Sequence, residues 1–349
     1  MRETFDENCE GKSAKIDADF EKSVLSLESF LTKAQDLFTN LENSPDFSES
    51  EVDAEFFLRN YGDLVDKFRV LFLNFSLRAK KVSIDDVEAH RIFSQKYLHD
   101  LLLISPFLGR CHRKPLGFAG DYMMMHMIQR ENAEGPNLYA KFVNVFATRI
   151  PIIYSVNNRT DKLVSLLEDG LKKAEEENRE FYALSIGCGP ALEVKRFIED
   201  NNPKVRCNFK FIDFDKETLA FASSEVSKVI DGKNIQIYTQ LNTVYTLLKR
   251  KIDEQKYDLI YCSGLFDYLS DGTCKNLVDI LYQVISESGK IFATNMHMKD
   301  VDRFGLEVLL DWYLIYRDER VMESFVPLGA NSNIYSDKTG ISLCLEIEK

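Results

Sequence analysis

Two glycines and one carboxylate carry the clearest chemical signal in this chain. In Leu184-Ser185-Ile186-Gly187-Cys188-Gly189-Pro190-Ala191 an apolar run meets a two-glycine turn and then a helix-forming segment. Glycine lets the backbone turn sharply and lets a ligand approach the peptide groups with no Cβ in the way, so a cofactor can lie across this loop. Such a turn after a strand serves several nucleoside cofactors and also occurs in plain turns. The next apolar run, Phe209-Lys-Phe-Ile-Asp213, ends in a carboxylate where a ribose-binding acid belongs in a Rossmann-like unit, and its two oxygens can accept from both ribose hydroxyls. Asp215 competes for that role, but at the start of the following helix it reads as an N-cap.

The choice of cofactor turns on what the loop must hold. A Gly-x-Gly-x-x-Gly loop presents a helix N-terminus to a pyrophosphate, and its third glycine allows close packing. Here that third position is Leu192. S-adenosylmethionine has no phosphate, so a Gly-x-Gly turn that cradles its amino-acid part, followed by a ribose acid, is sufficient. The residues therefore favour S-adenosylmethionine over a dinucleotide. The candidate cofactor set is Ser185, Gly187, Cys188, Gly189, Asp213 and the adjoining Phe214, with Asn242 of Gln240-Leu-Asn242 after the third strand and Ser263-Gly264 after the fourth.

The residues around an acceptor are read in pairs of alternatives. Phe266 and Tyr268 either close over cofactor and acceptor or cover the adjacent helix. His297 follows the fifth strand at the edge where ligands bind in open α/β sheets, placed for acid–base work or serving as a structural histidine. His297 and Tyr268 are the two candidate catalytic residues. A carboxylate acceptor is already ionised at neutral pH and needs alignment more than a base, in which case His297 would orient it. Asp121 and Tyr122 sit in a glycine-rich loop suited to a lid, with Tyr122 a further cofactor contact. Met123, Met124, Met125 and Met127 either line an adaptable acyl pocket or fill core. Arg159 and Arg317 either meet a carboxylate of cofactor or substrate or form ordinary salt bridges.

These residues need a frame, and the C-terminal half supplies one. Strand-like runs at Phe181–Ile186, Asn208–Asp213, Ile235–Thr239, Tyr257–Cys262 and Lys290–Asn295 alternate with helical runs at Leu192–Asp200, Lys216–Ile230, Val244–Ile252 and Lys275–Ser286. Such alternation implies right-handed crossovers and a parallel, doubly wound sheet. A helix over Asp302–Asp318 is then predicted, followed by strands near Phe325–Leu328 and Ile341–Ile347, which should pair antiparallel because no long crossover separates them. The expected fold is an α/β Rossmann-like sheet of seven strands with an antiparallel last pair, behind an all-helical N-terminal domain.

Helical spacing of apolar residues over 18–42, through Phe56, Leu58, Tyr61, Leu64, Phe68 and Leu71, and through Ile92, Tyr97, Leu101 and Leu103 supports that first domain, with capping boxes at Ser48-Glu-Ser-Glu51 and Ser83-Ile-Asp-Asp86. The predicted organisation is a disordered leader over 1–17, a helical domain over 18–112, a lid or linker over 113–154 and a Rossmann-like domain over 155–349.

Composition narrows the partners. The formal net charge of -12 repels phosphate backbones, and no basic stripe interleaved with aromatics overrides it, so a nucleic-acid substrate is not expected. No apolar run approaches the about 20 residues a membrane helix needs, and residues 1–15 carry no secretory pattern, so a cytoplasmic location is expected. The seven cysteines and five histidines show neither a CxxC pair nor ligand spacing, and no metal site is predicted.

Three longer strings add a resemblance. Lys114-Pro-Leu-Gly-Phe-Ala-Gly-Asp-Tyr-Met-Met124, Tyr257-Asp-Leu-Ile-Tyr-Cys-Ser-Gly-Leu-Phe-Asp-Tyr-Leu269 and Leu310-Asp-Trp-Tyr-Leu-Ile-Tyr-Arg317 resemble the bacterial class I methyltransferases related to the synthase of 3-hydroxy-fatty-acid methyl esters, including that of 3-hydroxypalmitic acid, which serve in quorum sensing. The likeness spans roughly residues 85–349 and implies S-adenosylmethionine as methyl donor and a small or acyl acceptor, a hydroxy fatty acid carboxylate in the first instance. A methyltransferase acting on protein or RNA, or a binding module that keeps the fold without catalysis, are the rival readings.

Overall fold

Aspartates start the two long N-terminal helices. Asp17 accepts the Phe20 N–H at 2.8 Å ahead of α1 (Ala18–Glu42), and Asp53 accepts the Phe56 N–H at 2.7 Å ahead of α2 (Ala54–Ala79). Each bond satisfies a first-turn donor that has no partner inside the helix. The computed structural model describes residues 15–45, 47–48, 52–130, 132–249, 252 and 254–349. Residues 1–14 of the predicted leader, Cys9 with them, and three of the four residues of the Ser48–Glu51 box lie outside that set. The box does not cap α2, since Asp53 stands next to its first turn. α3 (Val87–Leu102) begins at Asp86, which has helical rather than extended backbone (φ -106°, ψ -6°) and makes no side-chain cap, so the second predicted box is also not formed.

The chain divides into two units, 1–113 with 133–146 and 301–312, and 114–132 with 147–300 and 313–349. The first is helical: α1, α2, α3, α4 (Pro106–Arg113), nearly all of α6 (Leu138–Ala147) and α12 (Asp302–Leu310). Its core is aromatic, with Phe20, Phe38, Phe57, Phe68, Phe75 and Phe142 buried and Phe68 stacked on Phe146 at 3.5 Å. α12 comes from far along the chain, and Gly305 admits it: a Cβ there would stand 2.4 Å from Ser76 Oγ and 3.0 Å from Phe72 Cζ. Arg69 then grips the buried Asp302 at 2.5 and 3.0 Å. Gln95 and His99 donate to the C-terminal carbonyls of Val308 and Leu309. The predicted helix over Asp302–Asp318 therefore stops at Leu310, where Asp311 turns left-handed (φ 52°).

The second unit contains α5 (Tyr122–Arg130), α7 (Pro151–Glu176) and an alternating series: β1 (Phe181–Ile186), α8 (Leu192–Asp200), β2 (Cys207–Asp213), α9 (Lys216–Ser227), β3 (Ile235–Leu241), α10 (Val244–Leu247), β4 (Tyr257–Cys262), α11 (Asp271–Val284), β5 (Ile285–Met296), α13 (Glu319–Glu323), β6 (Asn331–Ser336) and β7 (Ser342–Glu348). The strands form one sheet in the order β3-β2-β1-β4-β5-β7-β6. β1 to β5 are parallel, and β7 runs antiparallel to both β5 and β6. α7, α8 and α9 pack on one face, and α10, α11 and α13 on the other. The strand order reverses between β1 and β4, so the loops leaving them part and open a crevice at the carboxyl edge.

This is the Rossmann-like seven-stranded sheet with an antiparallel end that the sequence predicts, with three local corrections. The run Phe325–Leu328 is not a strand: Phe325 is buried after α13, and the edge strand is Asn331–Ser336. Its six residues are exposed or half-buried, so no apolar alternation marks it, and pairing with β7 makes it a strand. The helix predicted from Val244 ends at Leu247. α11 starts at Asp271, one turn earlier than predicted, because Ser270 accepts the Thr273 N–H and caps it.

Candidate functional site

The glycine turn is held by the strand beside it. The Gly187 N–H donates to the Ile212 carbonyl at 2.8 Å, and the left-handed Gly187 (φ 66°), Gly189 (φ 54°) and Ala191 (φ 53°) carry the chain from β1 into α8. A Cβ on Gly189 would meet nothing within 4 Å, so what that position requires is its conformation, and its Cα faces open space. Ala191 has no glycine freedom and holds a left-handed backbone at some cost in strain.

Asp213 ends β2 against this turn. Its Oδ1 accepts the Asp215 N–H at 3.0 Å and its Oδ2 accepts the Gly189 N–H at 3.4 Å, with Cys188 Sγ at 3.9 Å. The carbonyl of Asp213 takes the Asn242 N–H at 2.8 Å, which brings the end of β3 to the same point. Burial raises the Asp213 carboxyl above its usual value, opposed by the N–H groups of Asp215 and Gly189. Asp215 is engaged otherwise, accepting the Thr218 N–H and hydroxyl at 2.7 and 2.6 Å as the cap of α9. The structure thus brings Gly187, Cys188, Gly189, Asp213 and Asn242 together.

Phe214, next to Asp213, is 54% exposed. Its ring lies 5.3 Å from Phe118, which is also 6.4 Å from Tyr268. Tyr268 donates its hydroxyl to the Ala119 carbonyl at 2.7 Å, so the 114–121 loop is fastened to the loop after β4. Asp121 caps α5 through the Met124 N–H, and Tyr122 lies against Phe221 of α9 at 4.9 Å. Met124 is core, while Met123, Met125 and Met127 are half-buried. Phe266 is core too, edge-on to Phe325.

Ser263 and Gly264 follow β4. The Gly264 N–H donates to Thr294 Oγ1 at 2.9 Å, and a Cβ on Gly264 would stand 3.3 Å from Arg159 Nη1. Arg159, on α7, is only 5% exposed. Its Nη1 reaches Thr294 at 3.3 Å and Asp267 at 3.7 Å, while its buried Nε–H has no partner. Asp267 also accepts the Met296 N–H at 2.6 Å, and burial pushes its carboxyl up to about 6 against the pull of Arg159.

His297 and Arg317 are fully enclosed. His297 Nδ1 accepts the Lys299 N–H at 3.2 Å, which leaves Nε2 to donate to Glu319 at 3.3 Å. Both ring nitrogens are engaged, so His297 offers none to a substrate. Arg317 donates to the Phe266 and Leu269 carbonyls, to Asn295 Oδ1 and from Nε to Asp271 Oδ1, which also lies 2.9 Å from Nη2. The guanidinium is thus committed to the protein, and it fixes the loop after β4 rather than meeting a ligand carboxylate.

The sequence reading overlooked two features. Phe118 gave no periodic signal within a glycine-rich loop. Glu193, in the first turn of α8, stands where acids commonly sit on exposed helix N-termini, yet it is buried. The Tyr261 hydroxyl donates to Glu193 Oε1 at 2.8 Å. Burial pushes the Glu193 carboxyl up to about 7, opposed by Tyr261 and by its own N–H.

No protein-family model and no curated protein matches the chain. Among solved structures, a possible exported protein from Bordetella parapertussis superposes with a TM-score of 0.51 over 94% of this chain and 96% of that one, at 14% identity. That likeness is one of fold. Magnesium protoporphyrin IX methyltransferase from Synechocystis PCC 6803 with bound SAH matches over 65% of this chain and 94% of its own, with a TM-score of 0.43 and 13% identity. N-methyltransferase NodS from Bradyrhizobium japonicum WM9, in complex with S-adenosyl-L-homocysteine, matches over 57% and 88%, with a TM-score of 0.37 and 13% identity. Among the described residues, no helix is long and apolar enough to cross a membrane, and no group of three or more His, Cys, Asp and Glu could hold a metal ion.

Proposed function

We propose that this chain is an S-adenosylmethionine-dependent methyltransferase acting on a small or acyl acceptor. The observation that carries the reading is the junction of Asp213 with the glycine turn, at the switch point of a sheet whose last strand is antiparallel. The local structure fits the cofactor: Gly189 leaves open space where a side chain would stand, and Arg159 holds a buried N–H with no protein partner. Asp213 accepts from the ribose hydroxyls, Gly187 and Gly189 admit the amino-acid part, and Arg159 donates to its carboxylate. Phe214, Phe118 and Tyr268 cover the adenosine and keep water out, with 114–132 as the lid. When bound, S-adenosylmethionine supplies a methyl group on a sulfonium for in-line displacement. The chain's own residues align the acceptor and shield it.

The acceptor implied by the resemblance is a hydroxy fatty acid carboxylate. An ionised carboxylate needs no base, which agrees with a sheet edge where both nitrogens of His297 are already engaged. Two measurements test the reading. S-adenosylhomocysteine should bind in calorimetry, and Asp213→Ala should weaken it by roughly 1.5–3 kcal/mol through lost charge-assisted hydrogen bonds. With radiolabelled methyl donor and cell extract, label should enter the lipid fraction; label in protein or RNA alone would sink the acyl acceptor.

A further inference from the structure

We infer that Glu193 is the anionic partner of the cofactor's ammonium group, held in place by Tyr261. The inference rests on the cofactor reading above and adds a residue to it. A ligand whose amino-acid end lies in the Gly187–Gly189 turn brings a positive ammonium to the carboxyl ends of β1 and β4. β1 itself ends Ser185-Ile186, with no carboxylate to receive that charge. Glu193 stands four residues beyond Gly189 in the first turn of α8, and it is only 6% exposed.

The surroundings of Glu193 are polar but uncharged. Tyr261 lies beside Ser185 in the sheet register, and its hydroxyl donates to Glu193 Oε1 at 2.8 Å. No lysine or arginine acts on the Glu193 carboxyl, which is why burial raises it as far as it does. A buried carboxylate without a cation is costly, and a glutamine of the same shape would accept the Tyr261 hydroxyl without that cost. The acid therefore fits a cation supplied by the ligand. Arg159, on the same α7–α8 side of the sheet edge and with its unpaired Nε–H, offers the opposite charge for the carboxylate of the same amino-acid end.

The test compares two ligands on the full chain. S-adenosylhomocysteine carries the amino-acid end; 5′-methylthioadenosine has the same thioether and adenosine without it. Glu193→Gln should weaken S-adenosylhomocysteine about 10- to 100-fold, the range expected for losing a hydrogen bond between charged groups. It should leave 5′-methylthioadenosine unchanged, with the melting temperature equal to or above that of the native chain. Unchanged affinity for S-adenosylhomocysteine, or an equal loss for both ligands, overturns the assignment, since a packing role would move both alike. If the native chain binds neither ligand, the cofactor reading itself fails, which is a distinct result.

Discussion

The helical unit and the glycine-turn end of the sheet unit treat buried charge in opposite ways. In the helical unit, Asp302 is buried and receives both terminal nitrogens of Arg69, and the buried His90 accepts the Asp17 N–H while its other nitrogen meets the Asp86 carbonyl. At the carboxyl edge of the sheet, Glu193 has no counter-cation, Arg159 keeps an N–H unmatched, and Asp213 is held only by backbone donors and a thiol. Buried charge costs free energy until something matches it. The first arrangement stabilises a fold, whereas the second, under the proposed cofactor binding, is matched by the ligand.

The comparison can be broken most directly from the helical side. Phe68 is fully buried and stacked on Phe146, so Phe68→Ala should cost about 3–5 kcal/mol in urea unfolding, with S-adenosylhomocysteine affinity unchanged wherever the chain remains folded. A parallel loss of affinity would mean that the two units do not divide stability and binding as argued.

The pH dependence of stability sharpens the same contrast. Glu193 keeps its proton to higher pH in the folded chain than in the unfolded one, so it favours folding most below 4.5, and that contribution is lost as pH rises through about 7. Glu193→Gln should therefore flatten the fall in melting temperature over this window and leave the variant the more stable of the two above it. Asp267, raised from 3.8 to about 6, keeps a fall of the same sign in both proteins. A steeper fall in the variant would contradict the burial argument.

The smallest effect concerns the lid. Tyr268→Phe removes the hydrogen bond to the Ala119 carbonyl and keeps the ring, for about 0.5–1.5 kcal/mol. It should loosen the 114–121 loop, read as faster hydrogen exchange there, while ligand affinity falls only slightly. Unchanged exchange would show that Phe118 packing alone holds the loop.

Much of this arrangement was legible in the residues. The β1 and β2 runs end in the turn and the acid that the structure joins, and α1 and α8 have the predicted bounds, because parallel strands are near-continuous apolar runs and caps and glycines punctuate them. The misses have physical causes. β6 is an edge strand of exposed or half-buried residues that takes its conformation from β7, so nothing local announces it. His297 stands at the right edge of the sheet, but Glu319, which takes its Nε2, reaches it only through the folded chain. Nothing in the sequence marks Glu193, because burial of a single helix position depends on residues such as Tyr261, far away in sequence.

The origin of α12 has a consequence for how the molecule is made. Translation delivers α1 to α6 long before residues 302–310, with all five parallel strands synthesised in between. Until then Phe72 and Ser76 lack the helix that Gly305 lets approach them, and Arg69 lacks its carboxylate. The helices made first thus wait for residues 302–310 to complete their core, just as the sheet waits for β6 and β7.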